Sequence, residues 1–331
     1  MGALTFTPSG IYCAAGDFFI DPWRPVDRAL ITHGHADHAR PGMGAYLATD
    51  LAAPVLRHRL GDIPLDTIRY GEVRQIGGAA VSFHPAGHVP GSAQIRVEVA
   101  GEVWVASGDY KVVDDGLSTP FEPVTCHHFI TESTFGLPVF RWQPQDVIAA
   151  ELNTWWAACA DAGKTAFLGC YALGKAQRLL TLLNPDQGPI LTHSAIENTN
   201  AVLRAQGLTL PDTVRADAEL TPKDHPGAIV LCPPSAIGSA WARKFGPQET
   251  GFASGWMALR GIRRRRAGDR GFVISDHADW PGLLDAIRQT GAENIYVTHG
   301  YTDIFSRYLT ENGWSAQVVP TEFGGEEEAA A

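Results

Sequence analysis

The 331-residue chain carries a net charge of −10, is 45% apolar and 19% charged, and holds five cysteines. That composition suits a globular protein with a sizeable core and room for two domains, and no apolar run approaches the ~20 residues of a membrane span. The acidic balance argues against a protein that coats nucleic acid nonspecifically, because phosphate neutralisation drives that affinity. Cys13, Cys126, Cys159, Cys170 and Cys232 form no C-x-x-C pair and read as free thiols in a reducing compartment. The opening Met1–Phe6 segment lacks the basic region and long apolar stretch of a signal peptide. The expected location is therefore cytoplasmic.

The first third reads as strands between Gly and Pro punctuation. The run 29–32 is a short apolar strand, and 79–83, 94–99, 103–106 and 128–131 carry β-branched and aromatic residues. The middle changes character: helix over 144–162, strand at 165–169, helix over 174–183, strand at 189–192, helix over 196–206 and strand at 228–232. Strand and helix alternating at this spacing predict βαβ units around a parallel sheet. The end returns to the first pattern, with strand 271–275, helix 281–290, strand 294–298 and a helix from Asp303. The predicted organisation is one domain (1–139 and 271–323) interrupted by a second (140–270), with 324–331 a disordered acidic tail.

Two stretches interrupt the acidic background: Arg263-Arg264-Arg265-Arg266 and Arg243-Lys244. Each reads either as a track for a phosphate chain or as a solvated loop of cations.

The segment His33-Gly34-His35-Ala36-Asp37-His38 concentrates chemistry at the carboxyl end of the predicted 29–32 strand. Imidazole nitrogen and carboxylate oxygen are ligands that zinc takes, and this density is unlike a packing pattern. Three later sites supply partners. His88 sits in a Gly/Pro loop after a strand, Asp109 follows the strand 103–106, and His299 closes the strand 294–298. Alone, His88 reads as an ordinary loop residue. Taken together, the residues provide one shell of three histidines with a carboxylate, and another of aspartate with two histidines, sharing a bridging carboxylate.

With these residues in place the chain resembles a metallo-β-lactamase-fold hydrolase, whose signature is an H-x-H-x-D-H loop followed by later His, Asp and His. The resemblance implies an α/β fold, an αββα sandwich whose ligands converge at one edge of two packed sheets. It implies two divalent ions, zinc or, as the alternative, manganese. His33, His35 and His88 would hold one ion, Asp37, His38 and His299 the other, with Asp109 bridging. Asp21 occupies the place of an outer aspartate that orients ligands.

Further motifs narrow the resemblance to the β-CASP nucleases. Thr131-Glu132-Ser133-Thr134-Phe135-Gly136 resembles their acidic first motif, Ser275-Asp276-His277-Ala278-Asp279 their second, and His299 their third in histidine form. Tyr171-Ala172-Leu173-Gly174-Lys175-Ala176-Gln177 resembles the F-A-L-G-R-A-Q segment of their inserted domain. Within that superfamily the chain is most similar to the bacterial ligase-associated DNA exonucleases. The resemblance to that group carries the expectation of a chain without the long C-terminal extension of the bacterial ribonucleases.

The resemblance implies phosphodiester hydrolysis by an activated water held at Asp37 and Asp109. His277 would donate a proton to the leaving oxygen and Glu132 would orient it. His277 also reads as a structural cap for the helix near Pro281. Ser92, Lys175, Arg243, Arg263 and Arg264 are candidate nucleic-acid or phosphate contacts, while Gly174 and Lys175 equally suit simple helix initiation. Tyr171, Trp241 and Trp256 either stack bases or belong to the core.

The expected function is metal-dependent exonuclease action on DNA single strands or ends in repair, alongside an ATP-dependent DNA ligase and a helicase. A ribonuclease of the same fold is the alternative, since a water nucleophile needs no 2′-OH. A β-lactamase or thioesterase reading fails on Glu132, His277 and the large insertion. A non-catalytic nucleic-acid-binding subunit is the alternative from another class.

Overall fold

Val103 and Val105 face one apolar cluster while Trp104 and Ala106 face another. This two-residue alternation shows how the strands of the protein are layered. The computed structural model describes residues 2–319 and 321, apart from 218, 219, 221–223 and 267. The acidic tail anticipated at 324–331 lies outside the described residues.

The chain divides into two compact units, one of residues up to Arg141 and from His277 onward, the other Trp142–Asp276. The first unit begins with β1 (Thr5–Thr7), β2 (Gly10–Cys13), β3 (Phe18–Ile20), β4 (Arg28–Leu30), β5 (Ala45–Thr49), α1 (Ala53–Leu60) and β6 (Leu65–Ile68). These strands form one sheet in chain order, antiparallel from β1 to β3 and parallel from β3 to β6.

A meander follows, of β7 (Val73–Ile76), β8 (Ala79–Pro85), β9 (Ala93–Val99) and β10 (Glu102–Ala106), with β11 (His128–Ser133) parallel to β10.

In the second unit strands and helices alternate: α2 (Gln145–Asp161), β12 (Thr165–Gly169), α3 (Lys175–Leu182), β13 (Ile190–Thr192), α4 (Ser194–Ala205), β14 (Val214–Arg215) and β15 (Ile229–Cys232). It ends with α5 (Ala240–Arg243), β16 (Gln248–Ala253), α6 (Arg260–Arg266) and β17 (Arg270–Phe272). Its sheet runs β14-β13-β15-β12-β16-β17, with every pairing parallel. Phe167, Leu191, Val230 and Phe245 share one of its clusters.

The chain then returns to the first unit through α7 (Trp280–Thr290), β18 (Asn294–Gly300), α8 (Thr302–Glu311) and β19 (Ser315–Val318). The second sheet of that unit therefore runs β19-β18-β11-β10-β9-β8-β7.

The strand predicted at 271–275 was assigned to the returning domain, but β17 pairs with β16 through Gly251↔Arg270 to Ala253↔Phe272. Its hydrogen bonds place it in the second unit, whose boundaries fall at Trp142 and Asp276 rather than 140 and 270. The arginine block around Arg263, read as a loop, lies in α6.

Among the described residues, three apolar clusters build the first unit. Ile11, Phe18, Ile20 and Leu30 from the first sheet meet Val81, Phe83, Ile95, Val97 and Trp104 from the second. Beyond the second sheet, Val105, Phe129, Ile295 and Val297 meet Leu283 and Ile287 of α7 and Phe305 and Leu309 of α8. Beyond the first sheet, Ala29, Ile31, Tyr46 and Ala48 meet Leu56 of α1. Each buried Val, Leu, Ile or Phe among them contributes roughly 1.5–3 kcal/mol.

Candidate metal centre

Three neighbouring strands of the second sheet deliver side chains to one edge because they run in the same direction. β10, β11 and β18 are parallel, so Asp109, Glu132 and His299 come to the same end. β8 is antiparallel to β9, which is antiparallel to β10, so the loop after β8 brings His88 to that end too. β4 of the first sheet supplies the loop with His33, His35, Asp37 and His38. His277 stands just ahead of α7, where Asp279, not His277, caps the helix by accepting from the Gly282 N–H at 3.0 Å.

Close backbone approach makes this convergence possible. Gly108 has φ +56°, and a Cβ there would lie 2.7 Å from Thr32 Cβ. Gly87, beside His88, has φ +74°, and a Cβ would lie 2.2 Å from the Lys111 carbonyl oxygen. Only glycine meets both demands without strain.

Asp109 is the hub. Its Oδ1 is 2.7 Å from His299 Nε2, and its Oδ2 is 3.3 Å from His38 Nε2, 3.4 Å from His33 Nε2 and 3.7 Å from His88 Nε2. His88 Nε2 lies 3.1 Å from His35 Nδ1. One group of possible donors comprises His33, His35, His88 and Asp109, a second His38, Asp109 and His299, and a third Asp109, Glu132 and His277, each with its donor atoms within 4.8 Å of one another. Asp37 stands at the margin of these groups, its Oδ2 3.8 Å from His38 Nε2 and its side chain 33% exposed.

Charge is divided unequally among the histidines. Complete burial, reinforced by His38, pushes the His33 imidazole well below the usual histidine range. Burial opposes charge on His38 too, but Asp109, Asp37 and the Asp21 hydrogen bond outweigh it and hold His38 well above that range. Burial likewise opposes charge on Asp109, yet His38, His277 and His299 keep its carboxyl well below the usual carboxylate range.

His33 Nε2 is sealed from solvent and makes no hydrogen bond. A neutral buried imidazole nitrogen without a hydrogen-bond partner, beside two more imidazoles and a carboxylate, is the donor chemistry of a divalent-ion site.

Outer residues fix the candidate ligands. Asp21 Oδ1 accepts from the Thr32 N–H at 2.8 Å, and Asp21 Oδ2 lies 2.8 Å from His38 Nδ1. Asp21 holds a left-handed backbone with φ 43°, a conformation costing about 1–3 kcal/mol that surrounding contacts must sustain. Glu132 is fully buried; its Oε1 accepts from the Tyr110 N–H at 2.8 Å and its Oε2 lies 2.7 Å from His277 Nδ1. The His277 ring lies 4.6 Å from that of His88.

Two braces were not legible in the sequence: Thr32 Oγ1, 3.1 Å from His33 Nδ1, and Thr298 Oγ1, 3.2 Å from His299 Nδ1. The only sequence signal is a threonine directly before each histidine.

The phosphate candidates take different places. Ser92 is buried, and its Oγ accepts from the His88 and Val89 N–H groups at 3.1 and 3.2 Å. It therefore braces the His88 loop instead of meeting a phosphate. Lys175, in the second unit, is also buried, its Nζ 3.8 Å from Asp276 Oδ2 and 4.8 Å from the Tyr171 ring centroid. At the start of α3, Gln177 Oε1 accepts from the Gly174 N–H at 2.8 Å and the Ala176 N–H donates to the Tyr171 carbonyl at 3.0 Å. Arg243, Arg263 and Arg264 are exposed. Trp256 is buried, and Trp241 is half-buried, its Nε1 donating to the Ala216 carbonyl at 2.9 Å. No described helix is long and apolar enough to cross a membrane.

No family model matches the chain. It is 29% identical over 315 residues to a probable DNA ligase of Opitutus terrae, covering 94% of this chain and 30% of that protein. It is 28% identical over 189 residues to cleavage and polyadenylation specificity factor 73 of Drosophila melanogaster, covering 53% of this chain and 27% of the relative. It is 25% identical over 188 residues to an RNase J-like protein of Methanocaldococcus jannaschii, covering 49% and 44%. The chain thus spans less than half the length of each of these relatives. A solved structure of a protein of unknown function from Enterococcus faecalis V583 shares the fold, with TM-score 0.60, 12% identity, and coverage of 90% of this chain and 80% of that one. Relatives of the cleavage-factor and RNase J kinds are metallo-β-lactamase β-CASP nucleases, metal-dependent hydrolases, and the chain is similar to them.

Proposed function

We propose that the protein is a metal-dependent phosphodiesterase that shortens DNA at single strands or ends, as an exonuclease of repair. The observation that carries the reading is Asp109, one buried carboxylate facing four histidines that fall into two donor sets. His33, His35, His88 and Asp109 would hold one divalent ion, and Asp37, His38, Asp109 and His299 another. Zinc suits the imidazole-rich sets, with manganese the alternative. Divalent ions held there would lower the pKa of a water and neutralise charge developing on phosphorus.

The residues do the rest. Asp37, partly exposed at the margin, accepts a hydrogen bond from the attacking water and aims it. His277 passes a proton to the leaving oxygen. Glu132, pinned by the Tyr110 amide, holds the His277 ring by Nδ1 so that Nε2 serves as the proton-transfer atom.

In this reading the first unit is the αββα sandwich and Trp142–Asp276 the inserted β-CASP domain. The exposed Arg243, Arg263 and Arg264 serve as phosphate-backbone contacts. DNA is favoured by the relative named a probable DNA ligase, whose aligned region takes in 94% of this chain. That relative's name also supports joint action with a DNA ligase; a helicase partner and a cytoplasmic location complete the proposed reading.

RNA is the second reading, favoured by relatives named for RNA: an endoribonuclease Ysh1 of Kluyveromyces lactis, 30% identical over 122 residues, and the RNase J-like protein. The test is cleavage of matched end-labelled single-stranded DNA and RNA, with and without 5′-phosphate, beside a His35→Ala, Asp37→Ala double variant. Metal-dependent shortening of DNA over RNA, lost in the variant, is expected. Preference for RNA moves the protein to the second reading. Cleavage of neither, with metal bound, overturns both.

A further inference from the structure

Arg59, in the last turn of α1, belongs to no motif, yet its guanidinium lies across the ligand loop. Nη1 donates to the carbonyls of Gly34 at 2.6 Å and His35 at 3.2 Å, and Nη2 donates to the carbonyl of Ala39 at 2.9 Å. These acceptors bracket His35, Asp37 and His38. The helix carrying Arg59 is itself anchored, with Leu56 packed in the cluster of Ala29, Ile31, Tyr46 and Ala39. Arg57 Nη2, two residues earlier, donates to the Leu65 carbonyl at 3.2 Å.

Within the loop the Ala39 N–H donates to the His35 carbonyl at 2.9 Å, and Arg40, just beyond it, donates through Nε to the Asp37 carbonyl at 3.4 Å. A planar fork with fixed donor directions holds several carbonyls in one arrangement, which a point-like ammonium cannot do.

We propose that Arg59 is a positioning residue for the metal centre: its fork fixes the backbone of residues 34–39 so that His35, Asp37 and His38 are presented to their ions. The inference rests on the metal-centre reading above and adds to it a residue 21 positions beyond the loop. Arg59 touches no reacting atom. It acts through the carbonyls of the ligand loop.

The test compares full-length wild type with Arg59→Met, which keeps the stem without the fork, and Arg59→Lys, which keeps the charge. Zinc affinity is read by competition with a chromophoric chelator, and amide hydrogen exchange over residues 34–39 is read in metal-free protein. Both variants are expected to bind zinc about 10- to 100-fold more weakly, the range for outer partners of metal ligands. They are also expected to exchange the 34–39 amides faster while melting as cooperatively as wild type. Wild-type affinity in both variants overturns the inference alone. So does rescue by Arg59→Lys, which would assign the effect to charge, or weaker binding with unchanged exchange, which would place the effect outside the loop. A wild-type protein that binds no zinc or manganese overturns the inference together with the reading beneath it.

Discussion

His277 Nδ1 and Glu132 Oε2 lie 2.7 Å apart in a solvent-free contact, although 145 positions separate them in the chain. Glu132 is committed on its other oxygen to the Tyr110 amide, so its orientation is set by the backbone and it sets that of His277 in turn. In the proposed function this pair is the proton-transfer group and its orienting partner. His277→Ala should lower kcat for cleavage by about 10²- to 10⁴-fold, the usual worth of a general acid. Metal content, measured by elemental analysis, should stay at the wild-type level. Loss of metal in parallel with activity would reassign His277 to the ligand shell.

Asp21 joins two parts of the loop, accepting from the Thr32 amide while meeting His38 Nδ1. Asp21→Ala removes both contacts, and metal affinity should fall by about 10- to 100-fold. Asp21→Asn keeps a hydrogen-bonding group of the same shape and should fall between the two. Equal zinc affinity in all three proteins would show that Thr32 and the strand hold the loop unaided.

Metal removal should destabilise the protein. His33 Nε2 is buried without a hydrogen bond and Asp109 faces four imidazoles, so an ion binding only the folded chain stabilises it by mass action. At a free metal concentration about 100 times Kd the gain is about 2.7 kcal/mol. Thermal melts with EDTA and after zinc is restored should differ by several degrees, reversibly. Coincident melts would mean that these side chains hold no ion.

Residues that carry chemistry in a short stretch were legible; those that act across distance were not. The loop from His33 to His38 announces itself by composition, and His88, Asp109 and His299 by following apolar runs. Ser92 and Lys175 are polar residues in Gly-rich loops, and nothing local reveals that the first folds back on the His88 amide or that the second is buried against Asp276. The same limit misassigned β17, since an apolar run names a strand without naming its neighbour. β5 and β6 escaped notice because Ala45–Thr49 and Leu65–Ile68 lack a clean polar–apolar alternation. α1 did so because its eight residues are too few to establish a helical period.

The thiols should be inert in the native protein. All five cysteines are buried, and burial pushes Cys126 and Cys232 up to about 12 and Cys159 to about 11. Thiolate is the reactive form, so labelling with a disulfide reagent at pH 8 should be negligible before denaturant and complete after it. Prompt labelling of one thiol would reveal local opening around it.

Glu197 gives the second unit a pH dependence of its own. Partial burial opposes charge there, but hydrogen bonds from Thr192 Oγ1 at 2.5 Å, Thr213 Oγ1 at 2.7 Å and Asn200 Nδ2 at 3.2 Å, with Arg204 Nη1 at 2.9 Å, outweigh it. The folded carboxyl therefore sits below its usual range, while the unfolded one titrates at about 4.3. A depressed folded pKa stabilises above the unfolded value, and that stability is lost as pH falls through the folded value. Glu197→Gln should cost about 1–3 kcal/mol at neutral pH, the worth of hydrogen bonds to a charged group. The difference from wild type, measured by urea unfolding, should hold steady from about pH 7 to 5 and shrink below about pH 4. A difference that persists undiminished in acid would mean that the network needs the shape of the side chain and not its charge.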